Sequence, residues 1–416
     1  MERSAIQDSS ADALLPAAPA TPTTRFLELQ RRCPTVQYAR TLARRRSPRF
    51  AFDCGDTGAG ADGGIERNWR ALDAVELLAR YGVGAALPST EVELFGQRYA
   101  APIGIAPMGA PGLVWPGADE HLAAAAQVAR VPYVNSVVAG ISIERAAQVA
   151  PDVFWFQLYR FGRNEHSIGL DLIRRADAAG ARVLVLTLDV PVRTVRTREA
   201  LAGVTYPFRL TPRMIVETLA SPRYFAAYLK HGMTRFTNLV SYAREGAGIN
   251  EMARFVRSEI GGAISWDDVA RYRDRWKRPL VVKGILHPED AQKAISLGVD
   301  GIVVSNHGGR QIEALPAAID ALPAVAAAAG QRATVLFDSG VRSGLDVVRA
   351  YALGAQAAFA GKAFLWGLGA LGEHGPGHVL DLFEEEIRST LAQIGARSLS
   401  DARSVVIRHP GALKFS

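Results

Sequence analysis

Residues 301–311, GIVVSNHGGRQ, carry an apolar run straight into Ser305, Asn306, His307, two glycines, Arg310 and Gln311. A histidine there can accept a proton, and an arginine three residues on can clamp an anion. Glycines between them let backbone approach a ligand closely. A polar turn after an edge strand would read the same way, so the other apolar runs must decide. They also end in groups able to bind or react: Ser136, Gln157 with Tyr159, Thr187 with Asp189, Lys283, Ser305 with His307, and Asp338. Two later turns each combine glycine with a cation, DSGVRSG with Gly340, Arg342 and Gly344, and AGKAF with Gly361 and Lys362. Backbone N–H groups, a helix start and a cation are what a phosphate needs.

The runs themselves are PIGIAP, VPYVNS, VFWFQLY, RVLVLTLD, PLVVKG, GIVVSN, ATVLFDSG and AAFAGK, rich in branched residues. Helical patterns such as DEHLAAAAQVAR, DLIRRADAAG, PEDAQKAISLG and GLDVVRAYALG separate most of them, the last two closing on glycine. Strands alternating with helices in this number predict an α/β (β/α)8 barrel, with a doubly wound sheet as the competing architecture. The barrel accounts for the polar strand ends, because all C-terminal ends then lie on one face and meet at one mouth. It also puts DSGVRSG and AGKAF after strands seven and eight, where barrels commonly cradle phosphate.

Composition sets outer bounds. The 416 residues are 49% hydrophobic and 21% charged, as in a globular chain with a large core. Cys33 and Cys54 make neither a disulfide framework nor a CxxC metal site, so no metal is expected and a reducing cytoplasm is the simplest setting. A formal charge of +7 suits acidic small molecules, phosphates, nucleic acid or an anionic membrane. The arginine-rich stretch 31–49 offers no interleaved aromatic platform or reading helix and reads as a solvated helix face, so no nucleic acid is expected. Residues 1–24, rich in Ala, Pro, Ser and Thr, read as a disordered tail, with Glu2 and Asp8 where a secretory signal would carry positive charge. No apolar run reaches the roughly eighteen residues of a spanning helix. GAGADGG from Gly58 matches GxGxxG, but no strand with an acidic end follows at the expected distance, and the match reads as chance.

APMGAPG, FQLY, LTLDVPVRTVR, LVVKG, SNHGGRQ, DSGVRSG and LGAQAAFAGK, in this order, resemble the FMN-dependent α-hydroxy-acid oxidase and dehydrogenase family over about residues 25–410. The resemblance implies one FMN-binding barrel domain over 25–416, with an N-terminal helical segment and an insertion at about 200–270 after strand four. It implies His307 as the base, Asp189 as its partner, Arg310 and Arg196 on the substrate carboxylate, and Tyr159 near the reacting oxygen. For FMN it implies Lys283 at the pyrimidine end of the ring, with Ser136, Gln157, Thr187, Ser305 and the segment Ala106, Pro107, Met108 and Gly109 at other ring edges. Asp338 would meet the ribityl hydroxyls, and Gly340, Arg342, Gly361 and Lys362 the phosphate. Three departures stand out. Cys54 replaces a substrate-binding tyrosine, so either the carboxylate loses a contact or the pocket gains room for an acid bulkier than lactate. Lys362 replaces an arginine, and Met108 stands where many members carry threonine.

The implied reaction oxidises an L-2-hydroxy acid to the 2-oxo acid, with quinone or oxygen as electron acceptor. An enzyme making hydrogen peroxide, or a flavin-binding barrel that acts on a larger, peptide substrate or serves as a binding protein, are the alternatives. Residues 201–260 hold eight Lys or Arg against four Asp or Glu, interleaved with Tyr224, Phe225, Tyr228, Phe236 and Phe255. Such a segment suits peripheral contact with the inner face of a membrane, or an ordinary lid over the barrel mouth. The resemblance further implies a homo-oligomer, commonly a tetramer.

Overall fold

The computed structural model describes residues 23–83, 87–192, 194–204 and 208–415, and in it the eight apolar runs become eight parallel strands of a closed barrel. They are β1 Ile103–Ile105, β2 Tyr133–Ser136, β3 Phe154–Leu158, β4 Leu184–Thr187, β5 Leu280–Ile285, β6 Gly301–Val304, β7 Thr334–Phe337 and β8 Ala357–Ala360. Nearly every strand residue is buried, since helices cover one face and barrel side chains fill the other. That is why the runs read as continuously apolar rather than alternating. β8 pairs back onto β1 through Ala358 with Ile103 and Ala360 with Ile105, and this closure excludes the doubly wound sheet.

Local chemistry starts the helices where the barrel needs them. The hydroxyls of Ser142, Ser265 and Ser343 accept from the N–H groups of Arg145, Asp268 and Asp346, capping helices Ile143–Val149, Trp266–Arg275 and Gly344–Ala352. Each such cap contributes about 1 kcal/mol. At the other end of the barrel, Phe95 and Gly96 both take positive φ and turn a two-stranded hairpin of Val92–Leu94 and Gln97–Tyr99. Phe95 and Tyr99 pack edge-on against Trp155, whose indole N–H donates to the Tyr99 hydroxyl at 3.0 Å. This plugs the N-terminal end of the barrel.

Before β1 the chain forms helices Thr24–Arg32, Val36–Arg46, Arg49–Asp56 and Gly63–Asp73. The tail expected over 1–24 lies outside the described residues up to 22, while Thr23 already caps the first helix. RFAFDC is helical, so GAGADGG does not follow a strand and makes no dinucleotide-binding turn. Between β4 and β5 the insertion folds into helices Thr197–Leu201, Pro212–Leu219, Pro222–His231 and Ile249–Glu259 before the barrel helix Trp266–Arg275. Pro222 and Gly232 bound the helix expected from SPRYFAAYLKHG, although the Ser221 hydroxyl makes no capping bond. Among the described residues no helix is long and apolar enough to cross a membrane.

Candidate active site

β6 delivers the chain into a single 3-10 turn, His307–Gly309, in which His307 itself has φ 57°. A non-glycine residue there needs outside support. Three sources supply it. The Ser305 hydroxyl accepts from His307 N–H at 2.9 Å, and the Ser339 hydroxyl accepts from Asn306 and Gly308 N–H at 3.1 and 3.0 Å. The amides of Asn306 and Asn68 exchange hydrogen bonds at 2.8 and 2.9 Å in the interior. Finally, the glycine-rich segment closes over the turn. Ala59 N–H donates to the Gly309 carbonyl at 2.9 Å, and Glu313 accepts from Ala61 and Gly63 N–H at 2.9 and 2.8 Å. A Cβ at Gly58 would lie 2.8 Å from that same Gly309 oxygen, so close backbone packing is what this glycine serves.

The turn aims His307 at Asp189, just past the end of β4, with Nδ1 2.9 Å from Oδ1. Nδ1 is thereby committed, and Nε2 on the far side of the ring has no hydrogen bond among the described residues. Burial pushes the imidazole below its ordinary pKa, and Lys283 pushes the same way against the opposing pull of Asp189. Burial alone would raise Asp189, but the charges of His307 and Lys283 and the hydrogen bond hold it below the usual carboxylate range. Its Oδ2 is buried without a partner. Lys283, also buried, donates to Ser305 at 2.9 Å and pairs with Asp338 at 3.1 Å. Burial opposes its charge, yet Asp338 and Asp189 outweigh this and raise its pKa. Gly284, at a β5 bulge with φ 101°, leaves the room Asp189 occupies, since a Cβ there would stand 2.5 Å from the aspartate side chain.

Arg310, after β6, and Arg196, after β4, meet on Glu199. Its Oε1 accepts from Arg310 Nη2 at 2.9 Å and Arg196 Nη1 at 3.0 Å. Arg310 also donates to the carbonyls of Thr57 at 2.7 Å and Cys54 at 3.4 Å. Arg196 Nε and the Thr194 hydroxyl donate in turn to the Arg310 carbonyl, at 3.4 and 3.0 Å. Burial, then the neighbouring Arg196, push Arg310 down to about 10, so it stays charged at neutral pH. Tyr159, one residue past β3, is half-buried, and its hydroxyl has no hydrogen bond among the described residues. Burial raises its pKa. Cys54, half-buried on helix Arg49–Asp56, lies beside Arg310 and the insertion's Tyr224.

Across the floor of the mouth runs a chain of side chains from three adjacent strands. Ser136 donates to Gln157 at 2.8 Å, and Gln157 donates to Thr187 at 2.9 Å. At β1, Ala106 is buried, Pro107 and Met108 are half-buried and Gly109 is exposed. Met108 leans over Gly361, its sulfur 3.6 Å from where a Cβ of that glycine would lie. Gly361 precedes helix Lys362–Leu371, which has no side-chain cap. The two cations expected at a phosphate have separate partners. Arg342 pairs with Asp73 at 2.7 Å and Asp346 at 3.3 Å and lies over Trp69, while the Lys362 ammonium donates to the Gly308 carbonyl at 3.1 Å. Gly340, with φ 94°, packs on Asn68.

Residues 43–409 match the family model described as FMN-dependent dehydrogenase. This chain belongs to the FMN-dependent dehydrogenase family. The L-lactate dehydrogenase of Caulobacter vibrioides (strain NA1000 / CB15N) is 37% identical over 368 residues, which are 88% of this chain and 96% of that protein. The L-lactate dehydrogenase of Pseudomonas aeruginosa (strain LESB58) is 36% identical over 375 residues, 90% of this chain and 98% of that one. Among solved structures, the monotopic membrane protein (S)-mandelate dehydrogenase superposes with a TM-score of 0.85 at 32% identity, covering 90% of this chain and 99% of its own.

As an FMN-dependent oxidoreductase the chain needs a bed for a flavin, and the donor set fits one. A ring with alternating donors and acceptors suits Gln157, Ser136, Thr187 and the buried Lys283, and the small Ala106 would leave room for an apolar contact with it. The uncapped helix start at Gly361 and Lys362 suits a phosphate. Burial, with Arg310 next in effect, pushes the Lys362 ammonium well below its usual pKa, a state that a neighbouring phosphate would reverse. Sequence reasoning missed Ser339, the Asn68–Asn306 pair, Gly284, Glu313 and Glu199. Ser339, inside the DSG that follows β7, carried the one local signal, a hydroxyl directly after the aspartate at the strand's end.

Proposed function

We propose that this protein oxidises an L-2-hydroxy acid to its 2-oxo acid and delivers the electrons to a membrane quinone or a similar acceptor. The observation that carries this reading is the His307–Asp189 pair beside the Arg196–Arg310 cluster, a proton acceptor next to an anion clamp. FMN, when bound, supplies the two-electron acceptor. The arginines hold the substrate carboxylate and the Tyr159 hydroxyl steadies the reacting oxygen. His307, kept neutral by burial, takes a proton at Nε2, and Asp189 stabilises the imidazolium that forms. Lys283, a buried cation, would meet the pyrimidine end of a bound flavin ring and favour added negative charge there.

Cys54, short and a weak donor, supports a substrate bulkier than lactate, such as an aryl hydroxy acid. Two features support membrane contact. Leu210, Ile215, Val216, Leu219, Leu229 and Met233 are exposed on the insertion, close in sequence to the exposed Arg213, Arg223 and Lys230. An apolar patch with flanking basic residues suits an anionic bilayer surface. The test is anaerobic addition of lactate, glycolate and mandelate to the purified flavoprotein. Bleaching of the oxidised flavin band by at least one of them is expected, with reoxidation faster by a soluble quinone than by oxygen. A bound flavin that none of the three reduces would overturn the assignment.

A further inference from the structure

We infer that Glu199 sets the charge of the substrate site, so that the site takes one carboxylate and discriminates against a dianion. The inference rests on the reading that Arg196 and Arg310 hold the substrate carboxylate. Two guanidinium groups facing one site carry two positive charges. Here a third group already stands between them, because one Glu199 oxygen accepts from both, at 2.9 and 3.0 Å, and its side chain is only 7% exposed. Among the described residues, these two guanidinium groups and the Glu199 carboxylate together carry one net positive charge. One substrate carboxylate cancels it, whereas a second negative group brought to the two arginines is repelled by the Glu199 carboxylate already between them.

Glu199 is also held where it is. It rides on the short helix Thr197–Leu201, and its neighbour Arg198 is pinned by Asp53, Asp56 and Asp62 at 3.1, 2.9 and 2.5 Å. Carbonyls of Thr57 and Arg310 hold further N–H groups of the two guanidiniums, which restrains their rotation while leaving other N–H donors for a substrate carboxylate. Glu199 is thus a positioning and specificity-determining residue that acts through the arginines.

Oxamate and oxalate have nearly the same shape and differ by one charge, which makes them a suitable pair. Dissociation constants for both are read on the oxidised holoenzyme from the perturbation of the flavin spectrum, with no turnover required. Glu199→Gln keeps an acceptor for both arginines and removes the charge, so preference for oxalate over oxamate is expected to rise about tenfold or more. Glu199→Asp keeps the charge and is expected to keep the wild-type preference. An unchanged preference in Glu199→Gln, or an equal shift in Glu199→Asp, would overturn the inference while leaving the proposed reaction standing. If neither anion perturbs the wild-type flavin, the carboxylate site itself is wrong and both readings fall.

Discussion

Replacing Asp189 by asparagine tests the proposed base with the least disturbance of shape. The amide oxygen can still accept from His307 Nδ1, now 2.9 Å from Oδ1, and the amide nitrogen fills the place of the buried, unpartnered Oδ2. What disappears is a charge about 4 Å from the imidazolium that forms as the proton is taken. At an effective dielectric constant near 20 that attraction is worth about 4 kcal/mol. Retaining the hydrogen bond offsets a fraction of this, leaving a loss of about 3 to 4 kcal/mol, or two to three decades in rate. The assay is single-turnover flavin reduction in anaerobic stopped flow, at saturating substrate. A second signature comes from pH. His307 must be neutral to act, so activity is present above its pKa and lost as pH falls through it. Burial holds that pKa below 6.5 while Asp189 pulls it up, so the acid limb of kcat/KM should lie below pH 6.5 in the wild type and lower still in the variant. Reduction within about tenfold of wild type, with an unmoved acid limb, would refute the assigned partnership.

Three further outcomes are expected. Gly284→Ala must strain a φ of 101° and drive a methyl into Asp189, so flavin reduction should fall by about tenfold or more even where FMN content is unchanged; normal reduction would mean that the aspartate can move freely. Cys54→Tyr narrows the space beside Arg310, and the ratio of kcat/KM for mandelate to that for lactate should fall, whereas an unchanged ratio would remove Cys54 from the specificity argument. Changing Val216, Leu219 and Leu229 together to serine should lower co-sedimentation with anionic phospholipid vesicles while flavin reduction by a soluble substrate persists, and undiminished sedimentation would place the membrane contact elsewhere.

The barrel and most of its mouth were legible because their signals are local. A parallel strand buried on both faces is a continuous apolar run, and the polar residue just beyond it falls at the mouth whatever the distance in sequence. Ser136, Gln157, Thr187, Asp189, Lys283, His307 and Asp338 were found in this way. What the two cations expected at a phosphate touch was less legible. Arg342 and Lys362 occupy corresponding slots after β7 and β8, yet Asp73 from the N-terminal helices claims Arg342, and nothing in DSGVRSG announces that partner.

The residues that escaped notice are those whose role is conferred by a distant segment. Glu199 lies in TREAL, which reads as one turn of an exposed helix, and becomes part of the site only because Arg310, over a hundred residues later, reaches the same oxygen as Arg196. GAGADGG shows the converse. It matches a pattern for dinucleotide phosphates, but its preceding segment is a helix and its glycines are needed for packing against Gly309 and Glu313. Both cases have one physical cause. A backbone N–H or a carboxylate has the same hydrogen-bonding capacity in either role, so its function is decided by which group stands about 3 Å away, and a contact across the barrel mouth is not written in its neighbours along the chain.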